Sequence, residues 1–327
     1  MWTVARGTRR SLDIGAPRTT RVNRTYRHEA LLWHDAEDFL AATVPFITEG
    51  LAAEESIMVA VTAERTGWLR DSLGADASRV LFVDMAELGR NPARIIPAWR
   101  RFLDEHAAHG DPVRGLGEPV WPGRRAEEIA EGELHEGLLN VAVDPDTPFW
   151  LICPYDVAHL PESVIEGVHR SHPAIRTSAD YRGSHLYAGR EHVSTVFAAG
   201  LAPLDGTPDE LSFTRDNLAD VGDFVAARAR AGGVSPGKVD DLTTAVAGLA
   251  ASSLQRGASG GVVRVWTRTD ALVCELHDEL VVKDPMTGRK PPSQAQRNGL
   301  WVANQLCDLV QLRSTPAGTT VRVHHWL

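Results

Sequence analysis

The first half of the chain alternates short apolar runs with longer amphipathic segments, and this alternation constrains the fold more than any other feature. The short apolar or extended runs, which are typical of strands, occupy residues 30–33, 56–61, 80–83, 112–120 and 149–153. The segments with helical spacing or a helix-start signal occupy residues 36–51, 67–73, 92–109 and 126–141. Strands separated by helices predict a mostly parallel sheet that is covered on both faces, so we expect an α/β fold.

The composition excludes several classes of protein. Hydrophobic residues make up 43% of the chain and charged residues 24%, as in globular proteins. No apolar run approaches the roughly 18 residues that a membrane helix needs, and the N-terminus lacks an apolar signal core. The net charge of -9 argues against a general nucleic-acid-binding protein. We therefore predict a cytoplasmic protein without membrane or direct nucleic-acid contacts.

The length of 327 residues predicts two domains, because a single core of ordinary size would be smaller. Residues 1–25 are rich in arginine and predict a flexible leader, although such an arm could also touch an acidic partner. A first domain is expected over residues 26–190. Glycine and proline without sustained periodicity indicate a linker over residues 191–204, followed by a second domain over residues 205–327.

Polar and aromatic residues cluster where the strands of the first domain are predicted to end. Because the carboxyl ends of strands in open α/β sheets form the ligand crevice, we expect these residues to converge there. A predicted helix between them contributes three more polar side chains. The candidate ligand-binding residues are Trp33, His34, Asp35, Glu118, Trp121, His135, Glu136, Asn140, Tyr155 and Asp156.

Several of these candidates also have a structural interpretation. Tyr155 and Asp156 follow Pro154, so they could form a turn as readily as a site. Trp121 could line a pocket or pack over the end of the sheet. These alternatives stay open at the level of the sequence.

No metal site is predicted. The pair His135-Glu136 lacks the second histidine of an HExxH motif, and Glu131 with His135 could equally be a pair on a helix surface. The cysteines Cys153, Cys274 and Cys307 lie far apart in apolar contexts and form no CxxC pair. They predict small core residues rather than a disulfide framework or a zinc cluster.

The first domain contains several motifs in a fixed order. They are His34-Asp35, Gly117-Glu118-Pro119-Val120-Trp121, His135-Glu136-x-Leu138-Leu139-Asn140, Cys153-Pro154-Tyr155-Asp156 and His172-Pro173. This order resembles the MEDS sensory domain over roughly residues 25 to 190. The resemblance implies a RecA-like sheet that has lost its nucleotide loop and serves as a signal-input module, and the segment indeed contains no GxxxxGK[ST]. The resemblance does not imply a particular ligand.

The end of the chain resembles a second family. An amphipathic pattern predicts a helix that begins at Gly299 and continues through Val310, and a turn at 314–318 leads into an alternating strand at 319–323. A helix that begins at a glycine, followed by a strand that starts Gly318-Thr319-Thr320, resembles the end of the GHKL ATPase domain of anti-sigma serine kinases. The resemblance implies a Bergerat-type α/β sandwich, with residues 283–298 in the place of a mobile ATP lid.

The residues that carry phosphoryl transfer in that family are missing. The expected catalytic base and magnesium ligand fall on Gly248 and Ser252, neither of which replaces a glutamate or an asparagine. The resemblance assigns vestigial nucleotide-binding roles to Asp278, Gly299, Gly318 and Thr319, and branched residues at 280 and 282 would obstruct an adenine pocket. We therefore predict no catalytic residues and no cofactor.

Two functions remain open. In the first, a sensory domain receives a small-molecule or protein signal, and a degenerate ATPase-like domain binds a sigma factor or an anti-sigma antagonist. In the second, the protein is an active anti-sigma serine/threonine kinase that uses ATP and Mg²⁺. The missing side chains favour the first function. The resemblance to anti-sigma kinases further implies a homodimer.

Overall fold

The computed structural model describes residues 25–107, 110–292 and 298–327, and its strands form two sheets. One sheet is mostly parallel and the other is antiparallel, which confirms the expected α/β class. The arginine-rich leader lies outside the described residues apart from Thr25. The same holds for residues 108–109 at the end of the expected helix 92–109, and for residues 293–297 of the expected lid.

The first sheet is built from strands in the first half of the chain. They are β1 (Arg27–Trp33), β2 (Ser56–Val61), β3 (Leu81–Asp84), β4 (Val113–Gly117), β5 (Phe149–Asp156), β6 (Ala174–Arg176) and β7 (Tyr181–Gly183). Within the described residues they lie in the order β3-β2-β4-β5-β1-β6-β7, and only the β6-β7 pair is antiparallel. Because β1, β4 and β5 are neighbours, their carboxyl ends lie side by side.

Helices cover both faces of this sheet. They are α1 (Ala36–Ala52), α2 (Ala63–Leu73), α3 (Met85–Leu88), α4 (Ile95–His106), α5 (Ala126–Ala142), α6 (Glu162–Ser171) and α7 (Gly189–Ala198), with 3-10 turns at Gly74–Arg79 and Pro92–Arg94. Phe39 and Leu69 place α1 and α2 over one apolar layer, whereas Trp99 and Leu138 place α4 and α5 over the other. Burial on both faces explains why the strands are continuous apolar runs.

Strand β5 corrects the interpretation of Tyr155 as part of a turn, because the strand continues through Pro154 to Asp156. Asp156 ends the strand and opens the turn that follows, since its carboxylate accepts hydrogen bonds from the N–H groups of Ala158 (3.1 Å) and His159 (3.2 Å). Proline removes a backbone donor, so it is tolerated where a strand has lost a neighbour. The pairing of β5 with β4 ends at Ile152, and beyond that point β5 pairs only with β1. The extended backbone then alternates its side chains between the two faces of the sheet, which separates Tyr155 from Asp156.

The second sheet belongs to the second half of the chain. Its strands are β8 (Asp209–Thr214), β9 (Gly260–Thr267), β10 (Ala271–Asp278), β11 (Leu309–Thr315) and β12 (Gly318–Trp326). Their order in the described residues is β11-β12-β10-β9-β8, and all pairs are antiparallel. Helices α8 (Leu218–Ala231), α9 (Pro236–Gln255) and α10 (Gly299–Leu306) share its apolar core. Across the described residues, no helix has both the length and the apolar character to cross a membrane.

The segment after Gly299 corrects the expected length of the last helix. Helix α10 ends at Leu306, and residues 309–315 form a strand instead of continuing the helix to Val310. The Asp308 carboxylate accepts a hydrogen bond from the backbone N–H of Trp326 (3.0 Å) and so holds the chain at the edge of β12. Leu309 and Val310 are buried, and a short buried apolar run is compatible with helix or strand until a pairing partner decides.

The two halves of the chain contact each other directly. Arg94 donates hydrogen bonds to the carbonyl oxygens of Asn304 (2.8 Å), Gln305 (2.9 Å) and Cys307 (2.8 Å), which are the unsatisfied acceptors at the end of α10. Helix α7 occupies part of the expected linker 191–204, and its Val193 packs beside Gly137 of α5. The connection between the halves is therefore packed rather than open along 191–198.

Candidate functional site

The carboxyl ends of β1, β4 and β5 converge on one arginine. Arg65 of α2 places its Nε 2.9 Å from Glu118 Oε1, its Nη2 3.9 Å from Asp156 Oδ2 and its guanidinium 5.2 Å from the centre of the Trp33 ring. All four of these side chains are buried. Three of the candidate residues, Trp33, Glu118 and Asp156, thus meet at the expected edge of the sheet, but they pack on Arg65.

The Glu118 carboxyl is the most perturbed acid in this group. Burial raises its pKa to about 7, although Arg65 and hydrogen bonds from Thr62 act in the opposite direction. An acid whose pKa is higher in the folded than in the unfolded protein binds a proton on folding between the two values. Its contribution to stability is therefore greatest at low pH and declines as the pH rises from about 4.5 towards 7.

We expect the substitution Glu118→Gln to remove this pH dependence. Between pH 4.5 and 8 the unfolding free energy of the unmodified protein should fall by on the order of 1–3 kcal/mol more than that of the variant, because glutamine does not titrate. Urea unfolding at a series of pH values measures the difference. The exposed Glu162, changed to glutamine, is the control and should leave the slope unchanged. Parallel curves for Glu118→Gln and the unmodified protein would show that Glu118 keeps an ordinary pKa.

Four other candidates lie outside this group and have structural partners or packing. Asp35 caps α1 by accepting a hydrogen bond from the Asp38 N–H (2.9 Å), and the adjacent His34 is exposed. Trp121 is half-buried beneath the guanidinium of Arg124, which lies 4.3 Å from the ring centre. His135 is buried, and burial lowers its pKa to about 3. The structure therefore does not bring His34, Asp35, Trp121 and His135 to a shared pocket with Arg65.

The remaining first-domain candidates, Glu136, Asn140 and Tyr155, belong to or contact a second, fully buried group on one face of the sheet. This group, which we call the histidine–glutamate–cysteine cluster, consists of His28, Glu136, Cys153 and His172. His28 Nε2 lies 3.0 Å from Glu136 Oε2 and 3.4 Å from Cys153 Sγ, and His172 Nε2 lies 2.9 Å from Glu136 Oε2. One ligand atom of each residue lies within 4.8 Å of all the others.

Neighbouring acceptors orient both histidine rings of the cluster. The Asn140 Nδ2 donates to the carbonyl of Ser171 (2.7 Å), so its Oδ1 faces His28 Nδ1 (3.0 Å) as an acceptor. The His172 Nδ1 lies 2.9 Å from the carbonyl oxygen of Val168. Each Nδ1 therefore carries a proton, and in a neutral ring each Nε2 directs a lone pair at Glu136.

Burial governs the charge states in the cluster. Burial by itself raises the pKa of Glu136, but the nearby His172 and His28 rings act in the opposite direction and hold that pKa well below its ordinary value. Burial, and next the proximity of His28, lowers the pKa of His172, which favours its neutral form. Tyr155 is buried with its ring edge against His172, and a cavity of about 20 Å³ lies beside Tyr155 and Glu136. A space of that size holds about one water molecule rather than an organic ligand.

The second domain contains a much larger cavity, of about 430 Å³, between α9, α10 and the sheet. This volume falls within the range of small-molecule sites. The cavity has mostly apolar walls with a few polar groups, and it is lined by Leu249, Ser252, Gln255, Arg256, Leu276, Thr287, Asn298, Leu300, Leu312 and Val321. Its lining includes Ser252, the position of the expected magnesium ligand.

The small residues of α9 serve close packing against α10. A Cβ on Gly299 would lie 2.2 Å from the carbonyl oxygen of Gly248, so the two helices touch backbone to backbone. The Ser252 Oγ accepts a hydrogen bond from the Gly299 N–H (2.9 Å), and Asn298 accepts from the next two N–H groups of α10. The donors at this helix N-terminus, which could otherwise hold a phosphate, are therefore already paired.

The vestigial nucleotide-binding residues also have partners within the protein. Asp278 accepts hydrogen bonds from the Ser253 hydroxyl (2.6 Å) and from the Leu280 N–H (2.9 Å). Thr319 donates to the carbonyl of Leu280 (2.6 Å), and Gly318 has a φ of 132° where a Cβ would lie 2.2 Å from the Asp278 carbonyl oxygen. These contacts hold the chain after β10 against the start of β12.

A buried group of three charged residues joins the first and second halves of the chain next to the large cavity. Glu131 of α5 accepts a hydrogen bond from Arg289 Nη2 (3.1 Å) and lies 2.6 Å from Arg313 Nη1 of β11. All three side chains are buried. Arg289 belongs to the expected lid, whose described part is packed rather than mobile at this residue and at the buried Met286. We call Glu131, Arg289 and Arg313 the interdomain ion cluster.

Sequence reasoning missed Arg65, His28, Cys153 and His172. Arg65 and His28 lie in segments whose local pattern predicts only a helix and a strand, and Cys153 has the apolar context of a core residue. His172 belongs to a motif that the sequence analysis identified without assigning it to a site. The signal available in the sequence was a set of histidines in apolar contexts together with the His135-Glu136 pair. No fixed spacing connects these residues, so the sequence does not show that they meet.

Comparison with known families identifies the first domain alone. Residues 27–173 match the family model described as MEDS, the methanogen/methylotroph, DcmR sensory domain. The match covers somewhat less than half of the 327 residues, and all four residues of the histidine–glutamate–cysteine cluster fall within it. It confirms the MEDS part of the resemblance, whereas the GHKL part stays a prediction. The comparison with curated proteins gave no match. A sensory domain indicates a signalling or regulatory role.

Proposed function

With a MEDS-type sensory segment over residues 27–173 as the premise, we propose that the protein is a signal-transducing regulator. Its first domain receives a signal, and its second domain binds a transcription-regulatory protein, either a sigma factor or an anti-sigma antagonist. The observation that supports this most is the interdomain ion cluster, because it connects the sensory domain to the border of the large cavity.

Helix α5 is the element through which the signal passes in this proposal. It contributes Glu136 to the histidine–glutamate–cysteine cluster and Glu131 to the interdomain ion cluster. These residues lie five positions apart, which corresponds to about 7.5 Å along a helix. Closely packed elements move as units, so a change around Glu136 that shifts α5 would also displace Glu131. Glu131 is paired with Arg289, and the segment that contains Arg289 would then move with it. Thr287 of the same segment lines the cavity.

The packing at the strand ends narrows the kind of signal. Trp33, Glu118 and Asp156 are buried on Arg65, and the cavity beside Glu136 and Tyr155 holds about one water molecule. The proposal therefore favours a protein contact or an ion over an organic ligand that would need a preformed pocket in this domain. The RecA-like and Bergerat-type folds implied by the two resemblances agree with the two sheets and form part of the proposal.

The side chains of the second domain support a binding role rather than phosphoryl transfer. Gly248 has no side chain to act as a base, and Ser252 caps α10 instead of facing a metal ion. Positioning of the reacting groups and magnesium carry most of the catalysis of phosphoryl transfer, so a domain without either has little catalytic power. The observation that favours the alternative, a serine/threonine kinase that uses Mg-ATP, is the cavity of about 430 Å³.

Two measurements test the proposal. In the first, the immobilised full chain is presented with purified sigma factors and anti-sigma antagonists from the same cell, and we expect saturable binding of one of them. Absence of binding to all of them would reject the proposed partner class. In the second, tryptophan fluorescence follows a titration with Mg-ATP, and labelled ATP reports phosphate transfer to the bound partner. Micromolar Mg-ATP binding together with transfer to a serine would replace the proposal by the kinase alternative.

The proposed assembly is a homodimer, as the resemblance to anti-sigma kinases implies. Light scattering on the purified chain gives its mass in solution. A mass near 35.6 kDa, that of one chain, would remove the homodimer from the proposal and leave the partner binding to be judged separately.

A further inference from the structure

The histidine–glutamate–cysteine cluster has the dimensions of a four-coordinate metal site. Zinc bonds of 2.0–2.3 Å place neighbouring ligand atoms of a tetrahedron about 3.3–3.8 Å apart. The separations in the cluster are 2.9 Å, 3.0 Å and 3.4 Å for three pairs, and all four ligand atoms lie within 4.8 Å of one another. Small shifts of the side chains would therefore bring the four atoms to bonding distance of one ion.

The hydrogen bonds around the histidines point to the same conclusion. Both Nδ1–H groups donate hydrogen bonds to oxygen acceptors. His28 donates to Asn140 Oδ1, and His172 donates to the carbonyl oxygen of Val168. When both rings are neutral, both Nε2 atoms direct lone pairs at one carboxylate oxygen of Glu136, so that acceptor faces acceptor. His172 Nε2 and Glu136 Oε1 are buried without an aligned hydrogen bond in the described structure. A cation among these atoms would turn the repulsion into attraction.

We propose that His28, Glu136, Cys153 and His172 bind one transition-metal ion of the Zn²⁺ class. The two histidines bind as neutral imidazoles through Nε2, Glu136 as a carboxylate and Cys153 as a thiolate. The Cys153 thiol proton leaves to solvent when the metal–sulfur bond forms. Two negative ligands and one divalent cation then sum to zero charge, which suits a site without solvent contact. The thiolate and imidazole ligands favour zinc over magnesium or calcium, which prefer oxygen.

The surroundings match those of histidine ligands in metal sites, where the second ring nitrogen donates to a carbonyl or carboxylate. Asn140 has this role for His28 and is itself fixed by the Ser171 carbonyl. The ligands come from β1, α5, β5 and the residue after α6, so a bound ion would tie two helices to the centre of the sheet. With all four positions filled by protein, the site is closed, as structural zinc sites are.

The test uses the full chain purified without a metal-affinity column. Elemental analysis should find about one equivalent of zinc or a related ion per chain. After removal of the native metal, Co²⁺ should restore about one equivalent and give a near-ultraviolet thiolate-to-cobalt charge-transfer band. The substitution Cys153→Ser should abolish the band. The matched control is Cys274→Ser, which changes an equally buried cysteine outside the cluster and should keep the band.

A second variant tests the hydrogen-bonded support of the site. Asn140→Ala should weaken Co²⁺ binding about 10- to 100-fold in competition with a chelator, because His28 loses the acceptor that orients it. A chain without stoichiometric metal that also takes up no Co²⁺ would overturn the proposal, as would a charge-transfer band that survives Cys153→Ser. If Cys153→Ser does not fold, the test depends on whether the unmodified chain and Cys274→Ser both show the charge-transfer band, and its absence from either would overturn the proposal. Metal content and partner binding are separate readouts, so this proposal and the regulatory function can fail independently.

Discussion

Replacing Glu131 by alanine should lower the unfolding free energy by about 3–5 kcal/mol, the range observed when one partner of a buried ion pair is removed. The substitution leaves Arg289 and Arg313 buried without their shared carboxylate. Burial already lowers the pKa of Arg289, and Glu131 is the group that acts against this effect. Urea unfolding of the full chain, followed by tryptophan fluorescence, measures the loss.

The control for this prediction is Glu127→Ala on the same helix. Glu127 is only half-buried, so its replacement should change the unfolding free energy by about 0.5 kcal/mol or less. Equal effects of the two substitutions would show that the interdomain ion cluster does not hold the domains together. If the domains instead unfold separately in Glu131→Ala, the appearance of a second transition would support the role of Glu131 as the connection between them.

Replacing Gly299 by alanine should destabilise the second domain by about 2–3 kcal/mol, because overpacking a close contact costs energy of this order. The added methyl group would lie 2.2 Å from the Gly248 carbonyl oxygen and 2.7 Å from Ser252 Oγ. Neither the backbone of α9 nor the cap on α10 can move without loss of hydrogen bonds. Thermal unfolding measures the change, and the cavity of about 430 Å³ that borders both helices should change shape with it.

The partner glycine supplies an informative contrast. A Cβ on Gly248 would meet the Gly299 Cα at 3.8 Å, which is ordinary van der Waals contact. Since alanine favours a helix interior over glycine, Gly248→Ala should be neutral or should stabilise the protein by about 0.5–1 kcal/mol. A loss in Gly248→Ala as large as that in Gly299→Ala would mean that the two helices are closer than the structure shows.

The alternation of strands and helices in the first half was readable from the sequence because both faces of the sheet are buried. Residues 57–61, for example, form an uninterrupted apolar run and lie in strand β2 of the structure. The segment 309–315 was not readable in this way. It is buried and apolar at several positions, and its assignment as a strand depends on β12, which pairs with it along its length. Local spacing alone does not reveal such a partner.

The candidate site was predicted in part. The convergence of Trp33, Glu118 and Asp156 follows from their positions at the ends of parallel strands, and their contact with Arg65 does not. The histidine–glutamate–cysteine cluster joins His28 to Cys153, which are 125 positions apart in the chain. Because β1 and β5 are neighbours only in the folded sheet, the sequence analysis placed Cys153 in the core without a partner.

The sequence by itself determined the α/β class and the sensory segment, because each depends on local spacing or on the identity and order of particular residues. The tertiary structure decided which polar groups meet: Arg65 with the strand ends, Glu131 with two arginines, and four metal-binding side chains around one point. The physical reason is that buried charges and lone pairs must be matched by groups that packing brings close, and packing joins residues distant in the chain.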